Sequence, residues 1–324
     1  MVSVPTLIVG SVVLTLLLQA LVLLAVNRRE LLAEVNERSS HERPTPTMGG
    51  VSVVMIVMAY LIYLSVSGVV PAWQWAIALG LLAIVGLWDD LQPLRALPRI
   101  AVHIFGAVLG IVALQLSEPL WLMLILVVAV VWFTNLFNFM DGIDGIAGVQ
   151  VFVFCLGAQI TAAGIGGWYG DLLWVVAGAS VGFLAYNWPP ARIFMGDVGS
   201  GFLGLLLALL VILLWQKEIL PLIASLILLA GFWFDATYTL CVRMLTGQPF
   251  TQAHRSHLYQ RLARRKGHLW TTGVYCIFSA FWLMPLAWIA AQNEHLQLYL
   301  LVLSVLPLAF LCWRFQAGIA GLED

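Results

Sequence analysis

Eleven apolar stretches limit what this chain can fold into. They cover approximately residues 2–26, 49–67, 71–88, 100–116, 119–138, 146–164, 171–187, 201–215, 219–240, 270–291 and 296–313. A bilayer-spanning helix needs roughly 20 mostly apolar residues. The chain has 324 residues, of which 62% are hydrophobic and only 10% charged, against about 25% charged in a soluble globular domain. The expected fold is therefore all-α: a polytopic membrane bundle of about eleven transmembrane helices, forming one integral-membrane domain over residues 1–324. No internal repeat, low-complexity tract or soluble domain interrupts it.

Orientation follows from where the cations fall. The first stretch has no basic residue before it, unlike a secretory signal with its positive start, so it is expected to be a retained helix with its N-terminus outside. On that assignment the inner loops hold Arg28, Arg29, Arg38, Arg43, Arg95, Arg99, Arg192, Arg243, Arg255, Arg261, Arg264, Arg265 and Lys266, and Arg314 lies in a cytoplasmic C-terminal tail. Only Lys217 falls outside. Lys and Arg collect on the cytoplasmic side of membrane proteins, so this asymmetry supports an odd number of spans. The formal net charge of −1 conceals it, and no nucleic-acid partner is expected. Cys155, Cys241, Cys276 and Cys312 are scattered without paired spacing, as small core residues are. Trp73, Trp88, Trp121, Trp168, Trp188, Trp215 and Trp270 stand near segment ends, which fits an interfacial aromatic belt.

The acids show the same asymmetry in a different way. Asp89 and Asp90 close the third stretch, Asp141 and Asp144 follow the fifth, Asp197 lies between the seventh and eighth, and Asp235 is near the inner end of the ninth. All are expected at the cytoplasmic face, whereas Glu118, Asp171, Glu218 and Glu294 fall in outer loops. Acids at membrane depth are costly and mark function. The adjacent Asp89 and Asp90 cannot both ionise cheaply without a cation. A hard divalent ion resolves this, and Mg²⁺ is held by one or two carboxylates plus substrate phosphates; Mn²⁺ is the alternative. The acids therefore predict a phosphate or diphosphate substrate. A cation-coupled transporter is the rival reading, but transporters place ionisable groups near the bilayer midplane with repeat symmetry.

Four motifs carry the chemistry. Asn135, Asn138, Asp141 and Asp144 recur every third residue. Steps of three drift by about 60° on an α-helix, so either the helix tightens toward 3₁₀ geometry or, the favoured expectation, it ends near Met140, with Gly142 and Gly145 carrying a turn. The asparagines would then point into the site from the helix and the aspartates from the loop. A second glycine-rich loop runs from Tyr186 through Asn187, Arg192, Phe194, Gly196 and Asp197 to Gly201. It leads into a helix whose N-terminus is expected to offer its dipole to phosphate. The third, Thr45-Pro46-Thr47-Met48-Gly49-Gly50, preceded by His41 and Arg43, supplies hydroxyls, amides and a cation. The fourth is the loop from His254-Arg255-Ser256-His257 to His268. His254 and His257 at i, i+3 share a face if helical, and Leu258 and Leu262 beside Arg261, Arg264, Arg265 and Lys266 suit an anionic interface. No third soft ligand accompanies the histidines, which argues against zinc.

Together, Thr45–Gly50, Trp88–Asp90, Asn135–Gly148, Asn187–Gly201 and Asp235–His257 resemble, in order, the polyprenyl-phosphate N-acetylhexosamine-1-phosphate transferases. This is the superfamily of the phospho-MurNAc-pentapeptide translocase and WecA, and the His-Arg-Ser-His form is most similar to WbpL-like members that start O-antigen synthesis. The resemblance implies a multi-pass enzyme of the bacterial inner membrane, with its active site on the cytoplasmic face. It would transfer a sugar 1-phosphate from a UDP-sugar to undecaprenyl phosphate and release UMP. It implies Asp197 as the Mg²⁺ ligand, and Asp89 and Asp90 as the catalytic pair, one of them a possible base. Asn138, Asp141, Asp144 and Asn187 would hold nucleotide and diphosphate, Phe194 would pack on uracil, and His254 and His257 would contact the diphosphate. Arg43, Thr45, Asn135 and Arg255 complete the expected substrate-binding set. Covalent and direct attack both stay open, as does a homodimer. Two departures count against a muropeptide substrate. Translocases carry a lysine soon after the Asp pair, where Leu91-Gln92-Pro93-Leu94 precedes Arg95, and another before Thr-Pro-Thr, where Arg43 stands.

Overall fold

The computed structural model describes residues 3–28, 32–33, 45–69, 72–249 and 254–319. Apart from a two-residue antiparallel pairing of β1 (Leu32–Ala33) with β2 (Thr45–Pro46), every regular element among the described residues is helical. The helices are α1 (Val4–Arg28), α2 (Gly50–Val66), α3 (Ala72–Leu91), α4 (Ala96–Ala113), α5 (Leu120–Met140), α6 (Ile146–Thr161), α7 (Gly167–Asn187), α8 (Asp197–Gln216), α9 (Leu222–Leu228), α10 (Ala230–Leu245), α11 (Leu258–Lys266), α12 (His268–Phe278), α13 (Met284–Gln292) and α14 (Gln297–Arg314). A π-helical turn, Ser279–Leu283, joins α12 to α13.

Each of the eleven expected stretches falls on a helix, but they are not equal. Eight helices among the described residues are long and apolar enough to cross a membrane, with α12–α13 counted as one run. The pair α9 and α10, bent by 78° at Leu229, makes a ninth if it is taken as one broken span. Helices α2 and α6 have 17 and 16 residues; at 1.5 Å per residue each covers about 25 Å, short of a hydrocarbon core of about 30 Å. The chain is a multi-pass membrane protein.

Helix α8 is the axis of the bundle. It is buried over 94% of its apolar window, against 17% for α1, which explains why it is apolar all round. Helices α2, α3, α4 and α5 pack around it, and Leu14, Leu17 and Leu21 of α1 and Val128 of α5 face outward, as lipid-facing side chains do. The tryptophans near the segment ends divide into two groups. Trp73, Trp88, Trp121, Trp188 and Trp270 are exposed, whereas Trp168 and Trp215 pack against the core.

The helix ends create the site. Helices α3, α5 and α7 finish, and α8 begins, at one end of the bundle. Between α7 and α8 the chain loops back and is joined to β2 by hydrogen bonds, from Phe194 N to Pro46 O at 2.8 Å and from Gly49 N to Phe194 O at 2.8 Å. Two motifs far apart in sequence thus become neighbours.

Candidate active site

A cavity of about 320 Å³ opens among these helix ends. Its wall takes Asp90 from α3, Asn138 from α5, and Asp141, Gly142, Ile143 and Asp144 from the α5–α6 loop. Asn187, Phe194, Met195, Gly196, Asp197 and Ser200 come from the α7–α8 region, Thr47 from the segment before α2, Gln260 from α11 and His268 from α12.

The α5–α6 loop is as the glycines predict. Helix α5 ends at Met140, and Gly145 turns the chain at φ +77°, a conformation that glycine adopts without steric cost. Asn187 clamps this loop to its neighbour: its Oδ1 accepts from Gly145 N at 2.9 Å while its Nδ2 donates to Ile193 O at 2.8 Å. Asp144 adds a second clamp, accepting from Ala191 N at 2.9 Å and lying 3.0 Å from His268 Nδ1.

The remaining acids are tied to one another through α8. Asn138 Nδ2 donates to Asp197 Oδ1 at 2.6 Å and to Ser200 Oγ at 2.9 Å. Asp90 accepts from the Asp197 and Val198 amides at 2.9 and 3.0 Å. Asp89 is ion-paired with Arg99, accepts from Leu94 N at 2.6 Å, and is within hydrogen-bonding reach of Asp197. Arg99 also lies 3.5 Å from Asp197. Asp141 differs from these, because its carboxylate accepts no hydrogen bond among the described residues. Burial, then the charges of Asp197 and Asp90, push its pKa well above the usual carboxylate range.

Residues 72–215 match the family model described as glycosyl transferase family 4. Over 247 residues the chain is 31% identical to a probable undecaprenyl-phosphate N-acetylglucosaminyl 1-phosphate transferase of Bacillus subtilis, covering 70% of this chain and 68% of that protein. Over 290 residues it is 30% identical to a phospho-N-acetylmuramoyl-pentapeptide-transferase of Symbiobacterium thermophilum, covering 78% of this chain and 86% of that one. The chain belongs to glycosyl transferase family 4. A decaprenyl-phosphate N-acetylglucosaminephosphotransferase of Mycobacterium leprae is 31% identical over 235 residues, 61% of this chain and 58% of that protein.

Within this family 4 chain, several expected positions lie elsewhere than the sequence suggests. The α8 N-terminus does not offer its first amides to phosphate, because Asp90 already accepts from two of them. Asp89 is absent from the cavity wall and faces Arg99. Thr45 is buried in the β2 pairing, and Thr47 takes the wall position. Asn135 lies a turn behind the site, donating to Val131 O at 2.7 Å; the step of three carries it off the Asn138 face. Arg43 lies outside the described residues.

The histidine loop departs furthest from expectation. His254, Arg255 and His257 are absent from the wall, which takes Gln260 and His268 instead. His254 and His257 stack with ring centroids 4.9 Å apart, and His257 is buried beside Asp235, 3.9 Å from Nδ1 to Oδ1. Burial lowers both imidazoles to about 3, with Arg243 adding to the effect, so near neutral pH neither carries charge toward a phosphate. Sequence reading also missed Arg99, Ser200, Gln260 and His268. Arg99 carried one usable signal, since it is the second cation after an acid pair that needs one.

Proposed function

We propose that this family 4 chain transfers an N-acetylated amino-sugar 1-phosphate from a UDP-sugar to undecaprenyl phosphate and releases UMP. The reaction would take place at the cytoplasmic face of the bacterial inner membrane, as the first step of O-antigen or related envelope-glycan assembly, in the manner of the WbpL-like members it resembles. The observation that carries this reading is the convergence of Asp90, Asn138, Asp141 and Asp197 around one cavity at the end of an apolar bundle. The names of the relatives in Bacillus subtilis and Mycobacterium leprae support the substrate classes, and the distribution of cations supports the face.

The donor set suits Mg²⁺ or Mn²⁺: it is all oxygen, and Asp141 adds a carboxylate that accepts no hydrogen bond among the described residues. Among the described residues no three Asp, Glu, His or Cys side chains could hold an ion unaided. Asp197 and Asp141 would therefore hold it jointly with substrate phosphates. When bound, the ion neutralises diphosphate charge in a transfer that rests on positioning and electrostatics. A lipid phosphate oxygen forms the new bond to the β-phosphorus, and the bond from the β-phosphorus to the bridging oxygen breaks, that oxygen leaving on the α-phosphate of UMP. Of the Asp89–Asp90 pair, Asp90 lines the cavity, which supports assigning it to the lipid phosphate. Asp89 acts through Arg99, which brings positive charge beside Asp197. Phe194 offers a ring for the uracil, and Asn187 and Asp144 hold the loops that shape its pocket.

A peptidoglycan enzyme of the phospho-MurNAc-pentapeptide type is the second reading, favoured by the Symbiobacterium thermophilum relative, of which this chain covers 86%. One assay separates the two. Purified protein receives undecaprenyl phosphate, Mg²⁺ and, in turn, UDP-N-acetyl amino-sugars and UDP-MurNAc-pentapeptide, with UMP release measured and Asp197→Asn as control. UMP release from a peptide-free donor only is the expected result. Release from the muropeptide donor alone selects the second reading. No release from any donor, or an Asp197→Asn variant as active as the parent, overturns both.

A further inference from the structure

Asp235 has no place in the cavity, yet among the described residues it is the most heavily engaged acid. It is fully buried on α10, just past the bend that separates α9 from α10. Its Oδ1 accepts from Leu258 N at 2.9 Å and Thr239 Oγ1 at 3.3 Å, and its Oδ2 accepts from Tyr259 N at 3.0 Å and Tyr275 Oη at 2.7 Å. One carboxylate therefore joins α10, α12 and the first two amides of α11, where a helix leaves its donors unsatisfied and favours negative charge.

That docking has a consequence inside the site. Tyr259, the second residue of α11, is fully buried and donates its phenol to Phe139 O at 2.7 Å. The same ring lies over Gly142, where an added Cβ would stand 2.2 Å from the hydroxyl. Phe139 lies between Asn138, which holds Asp197, and the Asp141 loop. Gln260, the next residue of α11, caps its own helix by accepting from His257 N at 3.3 Å and lines the cavity.

We propose that Asp235 is a positioning residue of this site: it docks the α11 N-terminus so that Tyr259 fixes the Asn138–Gly142 segment, and with it Asp141, against Asp90 and Asp197. The bent α9–α10 element thereby becomes a strut for the reacting groups. The inference rests on the transferase reading for its kinetic readout and on the fold alone for its second readout.

The test uses full-length detergent-solubilised protein as parent, Asp235→Asn, Tyr259→Phe and the double variant. Asparagine keeps the shape but turns an amide donor toward amides that need an acceptor. In Asp235→Asn the expected kcat is about 10- to 100-fold lower, the scale of a small misplacement of reacting groups, with the acceptor KM unchanged. Tyr259→Phe should fall in the same direction, and the double variant should be no worse than Asp235→Asn alone, because residues acting through one contact are not additive. Hydrogen exchange of substrate-free Asp235→Asn should speed up in 258–266 and also in 139–145. A parental kcat in Asp235→Asn, multiplied losses in the double variant, or faster exchange confined to 258–266 would overturn the proposal. If Asp235→Asn does not accumulate folded, Tyr259→Phe decides: unchanged kcat and unchanged exchange in 139–145 refute the strut. A parent that releases UMP from no donor refutes the transferase reading, while the exchange result still tests the docking.

Discussion

Gly86 and Gly80 lie on the same helix, and exchanging each for alanine separates helix propensity from site geometry. A Cβ on Gly86 would stand 2.4 Å from Asp197 O, 2.6 Å from Asp197 C and 2.7 Å from Val198 Cα, all backbone of the α8 N-terminus. Restoring an ordinary contact of about 3.5 Å requires α3 and α8 to separate by about 1 Å. Asp90 lies one turn further along α3, and its bonds to the Asp197 and Val198 amides are 2.9 and 3.0 Å long. The same displacement takes both near 4 Å, beyond hydrogen bonding. Two bonds to a charged acceptor at about 1.5–3 kcal/mol each put the cost at about 3–6 kcal/mol, less about 1 kcal/mol regained from alanine's helix propensity. At Gly80 an added Cβ meets only the Met58 methyl, at 3.4 Å. Gly86→Ala should therefore lower the thermal midpoint in detergent and cut UMP release by about 100-fold or more, while Gly80→Ala keeps parental activity and an equal or higher midpoint. Equal activity in the two variants would show that the α3–α8 approach does not set the site.

Arg99→Gln removes the cation beside Asp89 and Asp197 and should cost about 100-fold in kcat or more, with Arg99→Lys only partly restoring it; parental activity in Arg99→Gln would show that this charge is not used. Asp141 titrates above the usual carboxylate range in the folded state, so the stability it contributes is present at low pH and lost as pH rises through its folded pKa. A divalent cation should reverse that loss, so thermal stabilisation by Mg²⁺ should grow with pH in the parent and flatten in Asp141→Asn; a cation effect independent of pH in the parent would contradict this. His254 and His257 have folded pKa values of about 3, below the unfolded value of about 6.5, so both favour folding above that value and lose stability as pH falls from about 6.5 toward 3. A His254→Asn/His257→Asn double variant should show a shallower fall of the thermal midpoint over that range, and an unchanged slope would count against buried neutral imidazoles.

How much of this was legible in the chain depended on the range of the interaction involved. The end of α5 at Met140 and the turn at Gly145 follow from local spacing and glycine content, the gathering of Asp141, Asp144 and Asp197 at one face follows from the order of the apolar stretches, and Asn187 and Phe194 were expected in the site from the family resemblance. Thr47 lines the cavity in place of the expected Thr45, which is buried where β2 pairs with residues 32–33, a contact that local spacing does not disclose. Asp90's use of the Asp197 and Val198 amides spans more than a hundred positions and requires α3 to touch α8 at Gly86. The histidines misled for a related reason. Their spacing suggests one shared face toward phosphate, but Asp235 accepts from the first two α11 amides, and His257 is buried beside it and outside the cavity wall.

The same physics accounts for the division of labour among the acids. In an apolar bundle with few charges, a carboxylate near the membrane is tolerated only where donors, a cation or a ligand satisfy it. Asp89 has Arg99, Asp90 has two helix amides, Asp144 has His268 and a backbone amide, and Asp235 has two amides and two hydroxyls. Each of these is satisfied within the protein and holds an element in place. Among the described residues Asp197 receives Asn138 and a longer contact from Arg99 and lies against the Asp89 carboxylate, and Asp141 has no hydrogen-bond partner. The two acids left with unmet acceptor capacity are both in the cavity wall, and both point to a ligand that brings positive charge. On this argument Asp141→Asn should stabilise the substrate-free protein while abolishing transfer, and Asp235→Asn should do the opposite to stability. A measured loss of stability in substrate-free Asp141→Asn would show that its carboxylate is satisfied within the fold, and would remove it from the cation-holding pair.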